Sequence, residues 1–304
     1  MIDVVAAELG ILSRAKAMAQ ATETMQTINS NWPRDSRGWF AHWTERDFRK
    51  VGEYSTIDSS IMICGAYMAG NYFGGDLKEL AEQIGNTPDW KTIFPSATSP
   101  GMYMVSGSPM SAETKPFNEY YILAFLAQMH EEETETIAKD YFRDMLGIDG
   151  KPVGRDRWPF DTEYEGFRMQ SDWSYYMTSF TMQFAWLAVT GMHSNPFWKD
   201  TIYPEWGQAD KLWWTNQASL KWSEFAASWG QDVRGKAFGC GAGDSPDGYY
   251  VEHMNKPDSH YVWSAANMAG FLGVDQIKSQ VNQDLQWMYD NGSDSKKLKK
   301  NFKS

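Results

Sequence analysis

The chain has 304 residues, with 28 basic and 39 acidic side chains, and therefore a formal net charge of −11. This acidity argues against a nucleic-acid groove, because such a groove neutralises phosphates with clustered Lys and Arg. No run of about 18 uncharged apolar residues occurs, so a membrane span is not predicted and we expect a soluble protein.

Helical periodicity dominates the first half of the chain. One helix is predicted over residues 1–27. From Thr56 to Phe73, apolar residues recur every three or four positions, and small residues between them would let another helix approach closely. A third helix is predicted from Phe117 to Gln128, and the acidic run from Glu131 to Glu133 suits the first turn of a fourth.

Helices are also predicted along the second half of the chain. A buried helix is expected from Ser174 to Val189, with hydrophobic residues on almost every side and Gly191 ending it. Gln208–Trp229 and Val274–Tyr289 are further helices, and Asn291-Gly292 is a C-terminal stop for the last one.

Long polar connections with Gly and Pro separate these helices, and loops beyond about 15 residues often carry function. They cover residues 87–116, 147–172, 193–207 and 230–257. No strand-like alternation persists beyond a few residues, and no linker interrupts the apolar pattern. These features predict a single all-α domain over residues 1–304, where a double ring of twelve helices would fit.

Several site types are not predicted. The five histidines and two cysteines lack metal-ligand spacing, so we expect no metal, no cofactor and two free thiols, Cys64 and Cys240. The N-terminal residues have no basic region of a secretory signal, so the sequence as written indicates the cytoplasm. We expect a monomer.

The chain combines acids with 15 Trp, 15 Tyr and 16 Phe residues. This mixture suits a carbohydrate site, because aromatic faces stack on sugar rings and acids bind hydroxyls and move protons. The alternative is that most large aromatics belong to a core.

Three acids stand out by their surroundings. Asp58 follows Ser55 and Thr56, either of which could cap the helix. Glu119 precedes two tyrosines, and aromatic walls would raise its pKa by desolvation and make it a proton donor. Asp244 lies in a Gly- and Pro-containing turn. The alternatives are first-turn charges that complement helix dipoles for Asp58 and Glu119, and a structural turn for Asp244.

Six segments in this order resemble the glucoamylase-like domain of bacterial endo-β-1,2-glucanases. They are Gly38–Trp43, Tyr54–Ser60, Phe117–Glu119, Thr178–Phe184, Asn216–Ala218 and Gly239–Tyr249. The resemblance implies an (α/α)6 toroid with one carbohydrate cleft, and inverting hydrolysis of a glucan in which a proton passes through a substrate hydroxyl.

The resemblance also implies roles for individual residues. Glu119 matches the general acid of the family, and Asp244 or Asp58 matches the acids that hold the water or a sugar hydroxyl, with Asp244 preferred as base. An inverting pair would lie roughly 6.5–9.5 Å apart. The residues expected to line subsites are Trp39, His42, Trp43, Glu53 and Tyr249.

The implied partner is a polysaccharide or oligosaccharide, most specifically a β-1,2-glucan. Two departures from the family pattern keep other functions open: Ala127–Glu131 replaces a Ser-Pro-Thr-His run, and Cys240–Gly243 replaces Leu-Thr-Ala. The alternatives are a hydrolase or depolymerase of another polysaccharide, and a noncatalytic glycan-binding module on the same fold. Members of the family usually act in the periplasm or outside the cell.

Overall fold

The computed structural model divides the chain into two compact units. Unit 1 comprises Met1–Pro116 and Tyr120–Met145, and unit 2 comprises Phe117–Glu119 and Leu146–Ser304. The residues that the structure describes are 1–99, 101–107, 109–114, 118–132, 136–146, 160–171, 178–229, 238–245, 248–252, 262 and 264–292. The single domain stays a prediction.

Unit 1 holds the first six helices. They are α1 (Ile2–Glu8), α2 (Arg14–Asn31), α3 (Thr56–Phe73), α4 (Asp76–Gly85), α5 (Tyr121–Met129) and α6 (Ile137–Leu146), with a 3-10 turn at Trp90–Ile93. The single helix predicted over residues 1–27 is wrong. Gly10 has a φ of +67°, which interrupts the helix, and Ser13 begins the next one by accepting a hydrogen bond from the Lys16 amide.

Helix α3 begins and ends where the sequence predicts. Its small residues do admit a neighbour, because a Cβ at Gly70 would lie 2.9 Å from Cβ of Ala81 in α4. Helix α6 begins later than expected, at Ile137. Glu131 therefore lies outside its first turn, and its carboxylate caps the helix by accepting hydrogen bonds from the amides of Ala138 and Lys139.

Unit 1 also contains a four-stranded antiparallel sheet, which the sequence patterns did not predict. Its strands are β1 (Ala41–Thr44), β2 (Lys50–Ser55), β3 (Met102–Ser106) and β4 (Ser111–Thr114), paired in that order. Two of them lie in the stretch expected to be a loop, residues 87–116. Strands β2, β3 and β4 do not alternate strictly between apolar and polar residues, and β1 is only four residues long, so the period of two that indicates a strand is not evident in the sequence.

Unit 2 contains two β-hairpins and the remaining helices. They are β5 (Phe160–Tyr164), β6 (Phe167–Ser171), α7 (Ser179–Ala188), α8 (Thr190–Ser194), α9 (Tyr203–Trp229), β7 (Ala242–Ser245), β8 (Gly248–Val251), α10 (Ala265–Gly270) and α11 (Asp275–Gly292). A π-helical turn at Trp198–Ile202 leads into α9, and a 3-10 turn at Phe271–Gly273 precedes α11.

Three predictions in unit 2 need correction. Helix α7 ends at Ala188, and Gly191 lies inside α8 instead of ending the preceding helix. The expected loop over residues 193–207 contains the π-helical turn and the start of α9. The last helix continues through Gly292. Residues 172–177, the start of the helix predicted from Ser174, lie outside the described residues.

Large aromatic side chains contribute to the core of each unit, and the prediction that aromatics belong to a core is confirmed for the buried ones. In unit 2 the fully buried ones include Trp198, Trp206, Trp213, Trp214 and Tyr203. Both cysteines are buried free thiols, as predicted. Within the described residues, no helix combines the length and apolarity that crossing a bilayer requires.

The predicted all-α class is therefore confirmed in its helical dominance and corrected by eight short strands in the described part of the chain. The toroid stays an expectation drawn from the family resemblance.

Candidate active site

Three predicted site residues lie together in unit 1. His42 comes from β1, Glu53 from β2 and Asp58 from the first turn of α3. Nδ1 of His42 is 2.7 Å from Oε1 of Glu53, and Nε2 is 3.5 Å from Oδ2 of Asp58. The imidazole thus joins two carboxylates, and we call these three residues the acid–histidine cluster.

A β-bulge explains how His42 and Glu53 meet. Ala41 pairs with Tyr54 and Trp43 pairs with Val51, so the pairing shifts by one residue between them. A bulge bends the strand and redirects side chains. Gly52, with a φ of +78°, supplies the left-handed conformation inside it.

Helix capping positions the third member of the cluster. Ser55 is the N-cap of α3 and accepts a hydrogen bond from the Asp58 amide at 3.2 Å, while its hydroxyl donates to Oδ2 of Asp58. This reciprocal arrangement resembles a capping box. Asp58 therefore lies in the first helical turn, as the interpretation of its charge as a complement to the helix dipole predicts, and the same carboxylate also faces His42.

The cluster is open to solvent. The side chains of Glu53 and Asp58 are 44% and 45% exposed, and that of His42 is 30% exposed. Trp43 is 63% exposed and stacks on the His42 ring, with centroids 4.7 Å apart. The hydrogen bond from His42 lowers the pKa of Glu53, which keeps this carboxyl group charged.

Trp39 does not share this exposure, contrary to its prediction as a subsite residue. It is 0% exposed and packs edge to face on Trp90, with ring centroids 5.2 Å apart. Close by, the amide of Phe40 donates to Oγ of Ser59 in α3 at 3.0 Å. Trp39 thus belongs to the core of unit 1.

Glu119 belongs to unit 2 and precedes α5, which begins at Tyr121 rather than at Phe117 as predicted. It therefore lies in a turn, outside the first helical turn where a charge would simply complement the dipole. The residue is half-buried, and its Oε2 atom is hidden from solvent.

Asp244 and Tyr249 face each other across a hairpin in unit 2. Their backbones pair between β7 and β8, and Gly248, the first residue of β8, has a φ of +111°. Tyr249 is 71% exposed. The side chain of Asp244 lies outside the part of the chain that the structure describes, so the separation of the proposed acid and base stays a prediction.

The described groups suit the binding of a polyhydroxylated ligand. Carboxylates accept hydrogen bonds from hydroxyl groups, and an exposed indole offers a stacking face. Among the described residues, no group of three or more His, Cys, Asp or Glu side chains has the arrangement of a metal site. Sequence reasoning missed the bulge that assembles the cluster, although Gly52 directly before Glu53 was a signal for it.

No protein-family model and no curated protein sequence matches this chain. Solved structures match it closely in shape. An endo-β-1,2-glucanase from Chitinophaga pinensis, solved with sophorotriose and glucose, has a TM-score of 0.66 and 15% identity, over 94% of this chain and 69% of that one. A proposed glucoamylase from Bacteroides caccae has a TM-score of 0.71 and 15% identity, over 95% and 70%.

A β-1,2-glucanase from Parabacteroides distasonis has a TM-score of 0.68 and 15% identity, over 95% of this chain and 44% of that one. The chain has the fold of these proteins. The resemblance drawn from six short segments is thereby confirmed at the level of fold. One fold hosts many reactions, so the chemistry has to be argued from the residues of this chain.

Proposed function

We propose that the protein is a glycoside hydrolase that cleaves a β-glucan within the chain, with β-1,2-glucan as the substrate. The observation that carries the proposal is the acid–histidine cluster beside the exposed Trp43, on a fold shared with two β-1,2-glucanases. An open group of carboxylates next to a stacking surface is what a sugar chain requires.

The proposed reaction is inverting. Glu119 gives its proton, through a substrate hydroxyl, to the glycosidic oxygen as the bond from that oxygen to the anomeric carbon breaks. Asp244 takes a proton from water, whose oxygen forms the new bond to the anomeric carbon from the opposite face. One water is consumed, and each product carries a complete hydroxyl group.

The geometry around Asp58 favours Asp244 as the base. Oδ2 of Asp58 already accepts the Ser55 hydroxyl and lies 3.5 Å from His42. A carboxylate whose oxygen is engaged by a hydroxyl and an imidazole suits the binding of a sugar hydroxyl. We assign Asp58 to holding a sugar hydroxyl, with Glu53 and His42 completing that subsite.

Two exposed aromatic residues supply stacking surfaces for sugar rings, Trp43 in unit 1 and Tyr249 in unit 2. An aromatic ring presents a flat apolar face to the C–H face of a pyranose. Because both side chains project into solvent, neither would have to move to receive a sugar.

The test incubates the protein with linear β-1,2-, β-1,3-, β-1,4- and α-1,4-glucans and measures new reducing ends. We expect them from β-1,2-glucan alone, with the anomer released initially of inverted configuration. Ends from another polymer would overturn the linkage, and binding without cleavage would overturn the hydrolase and leave a glycan-binding module.

The assignment of the acid has its own test. The Glu119→Gln variant should lose about 10²- to 10⁴-fold in turnover and keep its affinity for the glucan, because only proton donation is removed. Glu79→Gln, at an exposed position in α4, is the matched control and should behave as the wild type. Full activity in Glu119→Gln would refute the role of Glu119.

A further inference from the structure

A buried carboxylate in unit 2 has no part in the chemistry described so far. Asp210 lies in α9 with 0% of its surface exposed. Its Oδ1 accepts the Gly239 amide at 2.7 Å, and its Oδ2 accepts the Cys240 amide at 2.9 Å. The Ser179 hydroxyl at the start of α7 also donates to Oδ2.

Hydrogen bonds also hold the backbone carbonyl of Cys240. The carbonyl of Cys240 accepts hydrogen bonds from the Thr178 hydroxyl, from the Ser179 amide at 3.1 Å and from Nδ2 of Asn267 at 2.7 Å. Three elements thus bind a single residue of the Gly239–Gly241 segment: α7, α9 and α10.

Close packing fixes the same segment from another side. Gly239 has a φ of +101°, and a Cβ there would lie 2.6 Å from the Met268 amide nitrogen and 2.9 Å from the Ser264 carbonyl oxygen. Backbone hydrogen bonds join Ser264 to Gly239 and Gly241 to Val262, each at 3.0 Å. Backbone contacts thus add to the hydrogen bonds of Asp210 in holding this segment.

Strand β7 begins directly after this segment, at Ala242, and Asp244 is its third residue. We propose that Asp210 is a positioning residue that clamps Gly239 and Cys240 and thereby sets the place of Asp244. The inference rests on the proposed function, in which Asp244 is the base.

A buried carboxylate is a costly way to hold a backbone unless the hydrogen bonds themselves are needed. Desolvation of an ionised group is unfavourable, and apolar residues often fill such positions at lower cost in stability. Asp210 accepts from two consecutive amides, which no apolar side chain could do. These hydrogen bonds are expected where the backbone at Gly239 and Cys240 has to follow one particular path.

The test compares three variants of the full chain. Asp210→Asn keeps one acceptor oxygen but replaces the other with an NH₂ group. Ser179→Ala removes only the hydroxyl donor and leaves both hydrogen bonds from the Gly239 and Cys240 amides in place. Tyr203→Phe is the control, because it deletes a part-buried hydrogen bond of unit 2, to the Gly270 carbonyl, that involves neither Asp210 nor the Gly239–Gly241 segment.

Two readouts are measured, amide hydrogen exchange over residues 239–244 and the steady-state constants on β-1,2-glucan. For Asp210→Asn we expect at least tenfold faster exchange and a kcat lowered about 10- to 100-fold with KM nearly unchanged, because a misplaced base slows chemistry more than binding. Ser179→Ala should give a smaller change of the same kind, and Tyr203→Phe should leave both readouts as in the wild type.

Unchanged exchange in Asp210→Asn would overturn the clamp. Faster exchange with an unchanged kcat would overturn its link to Asp244, as would an equal loss of kcat in Tyr203→Phe. A wild type that cleaves no glucan would overturn the proposed function instead, and the exchange measurement would still decide whether Asp210 holds the segment.

Discussion

Asp58 and Asp210 are a natural pair for comparison, because each accepts a hydrogen bond from a serine hydroxyl close to the start of a helix. The carboxylate of Asp58 lies 3.5 Å from the His42 ring nitrogen, and its side chain is 45% exposed. The carboxylate of Asp210 accepts hydrogen bonds from two backbone amides and is fully buried. The first carboxylate can meet a ligand, whereas the second can act only on its own chain.

The difference shows that hydrogen-bond partners alone do not reveal what an acid does. Burial decides whether a carboxylate can bind a substrate or can only hold the backbone. It also decides whether removal of the carboxylate lowers activity or stability. Loss of an exposed acid should reduce activity with little effect on stability, whereas loss of a buried acid should reduce stability first.

The largest effect expected from this comparison is on catalytic efficiency, kcat/KM. Replacing Asp58 with Asn should lower kcat/KM on β-1,2-glucan about 10²- to 10³-fold, because a neutral amide holds a sugar hydroxyl less tightly than a charged acceptor. The unfolding free energy should change by less than about 1 kcal/mol, since Asn still accepts at the helix start. Reducing-end kinetics and urea denaturation test both parts, and normal activity in this variant would remove Asp58 from the site.

The second prediction concerns stability. Asp210→Ala should lower the unfolding free energy by about 2–4 kcal/mol, because it leaves the amides of Gly239 and Cys240 buried without their acceptor. Asp58→Ala should cost only about 1 kcal/mol, the usual loss for a capping interaction at a helix start. Equal losses in the two denaturation curves would contradict the contrast between the two acids.

Asp58 and Asp210 also illustrate how much of the structure can be predicted from the sequence. The spacing Ser-x-x-Asp and the apolar period predict α3 and place Asp58 in its first turn, because both are local signals. The contacts of His42 with Glu53 and Asp58 depend on the shifted pairing of β1 and β2, in which Ala41 pairs with Tyr54 and Trp43 with Val51. Gly52 signals a bulge, but no local pattern specifies which residues of the two strands pair. The apolar period is itself incomplete, since Met68 is 37% exposed while Ser59 and Ser60 are buried.

Asp210 was overlooked although a signal exists. Trp206, Asp210 and Trp214 are spaced four residues apart, and all three are buried on α9. A charge on an aromatic helix face has to find hydrogen-bond donors, which points to a structural network. Trp39 and Trp43, by contrast, are the same residue type four positions apart. Only tertiary packing makes Trp39 a core residue and Trp43 an exposed one.

The third prediction concerns the pH dependence of the stability that Asp210 contributes. Burial raises the pKa of Asp210 to about 6 against the opposing effect of its hydrogen bonds, and the buried Glu252 and the Cys240 thiol are the titratable groups that interact with it. The folded state therefore takes up a proton between pH 7 and 5 that the unfolded state, with its lower Asp pKa, does not.

Stability contributed by this proton is present at low pH and is lost as the pH rises through about 6. Relative to Asp210→Asn, the wild type should gain about 1 kcal/mol in unfolding free energy between pH 7 and 5. Urea denaturation of both proteins at several pH values measures the difference. A constant difference would show that Asp210 does not titrate in this range.

The smallest effect is expected at the stacking surface. Replacing Trp43 with Ala should raise KM on β-1,2-glucan about fivefold, since an exposed aromatic contact contributes on the order of 1 kcal/mol to binding. The unfolding free energy should hardly change, because the side chain is 63% exposed and its main described contact is the His42 ring. Leu187→Ala, at an apolar position in unit 2 that is 61% exposed, is the matched control. A raised KM in both variants would mean that general surface apolarity, and not the indole beside the acid–histidine cluster, attracts the glucan.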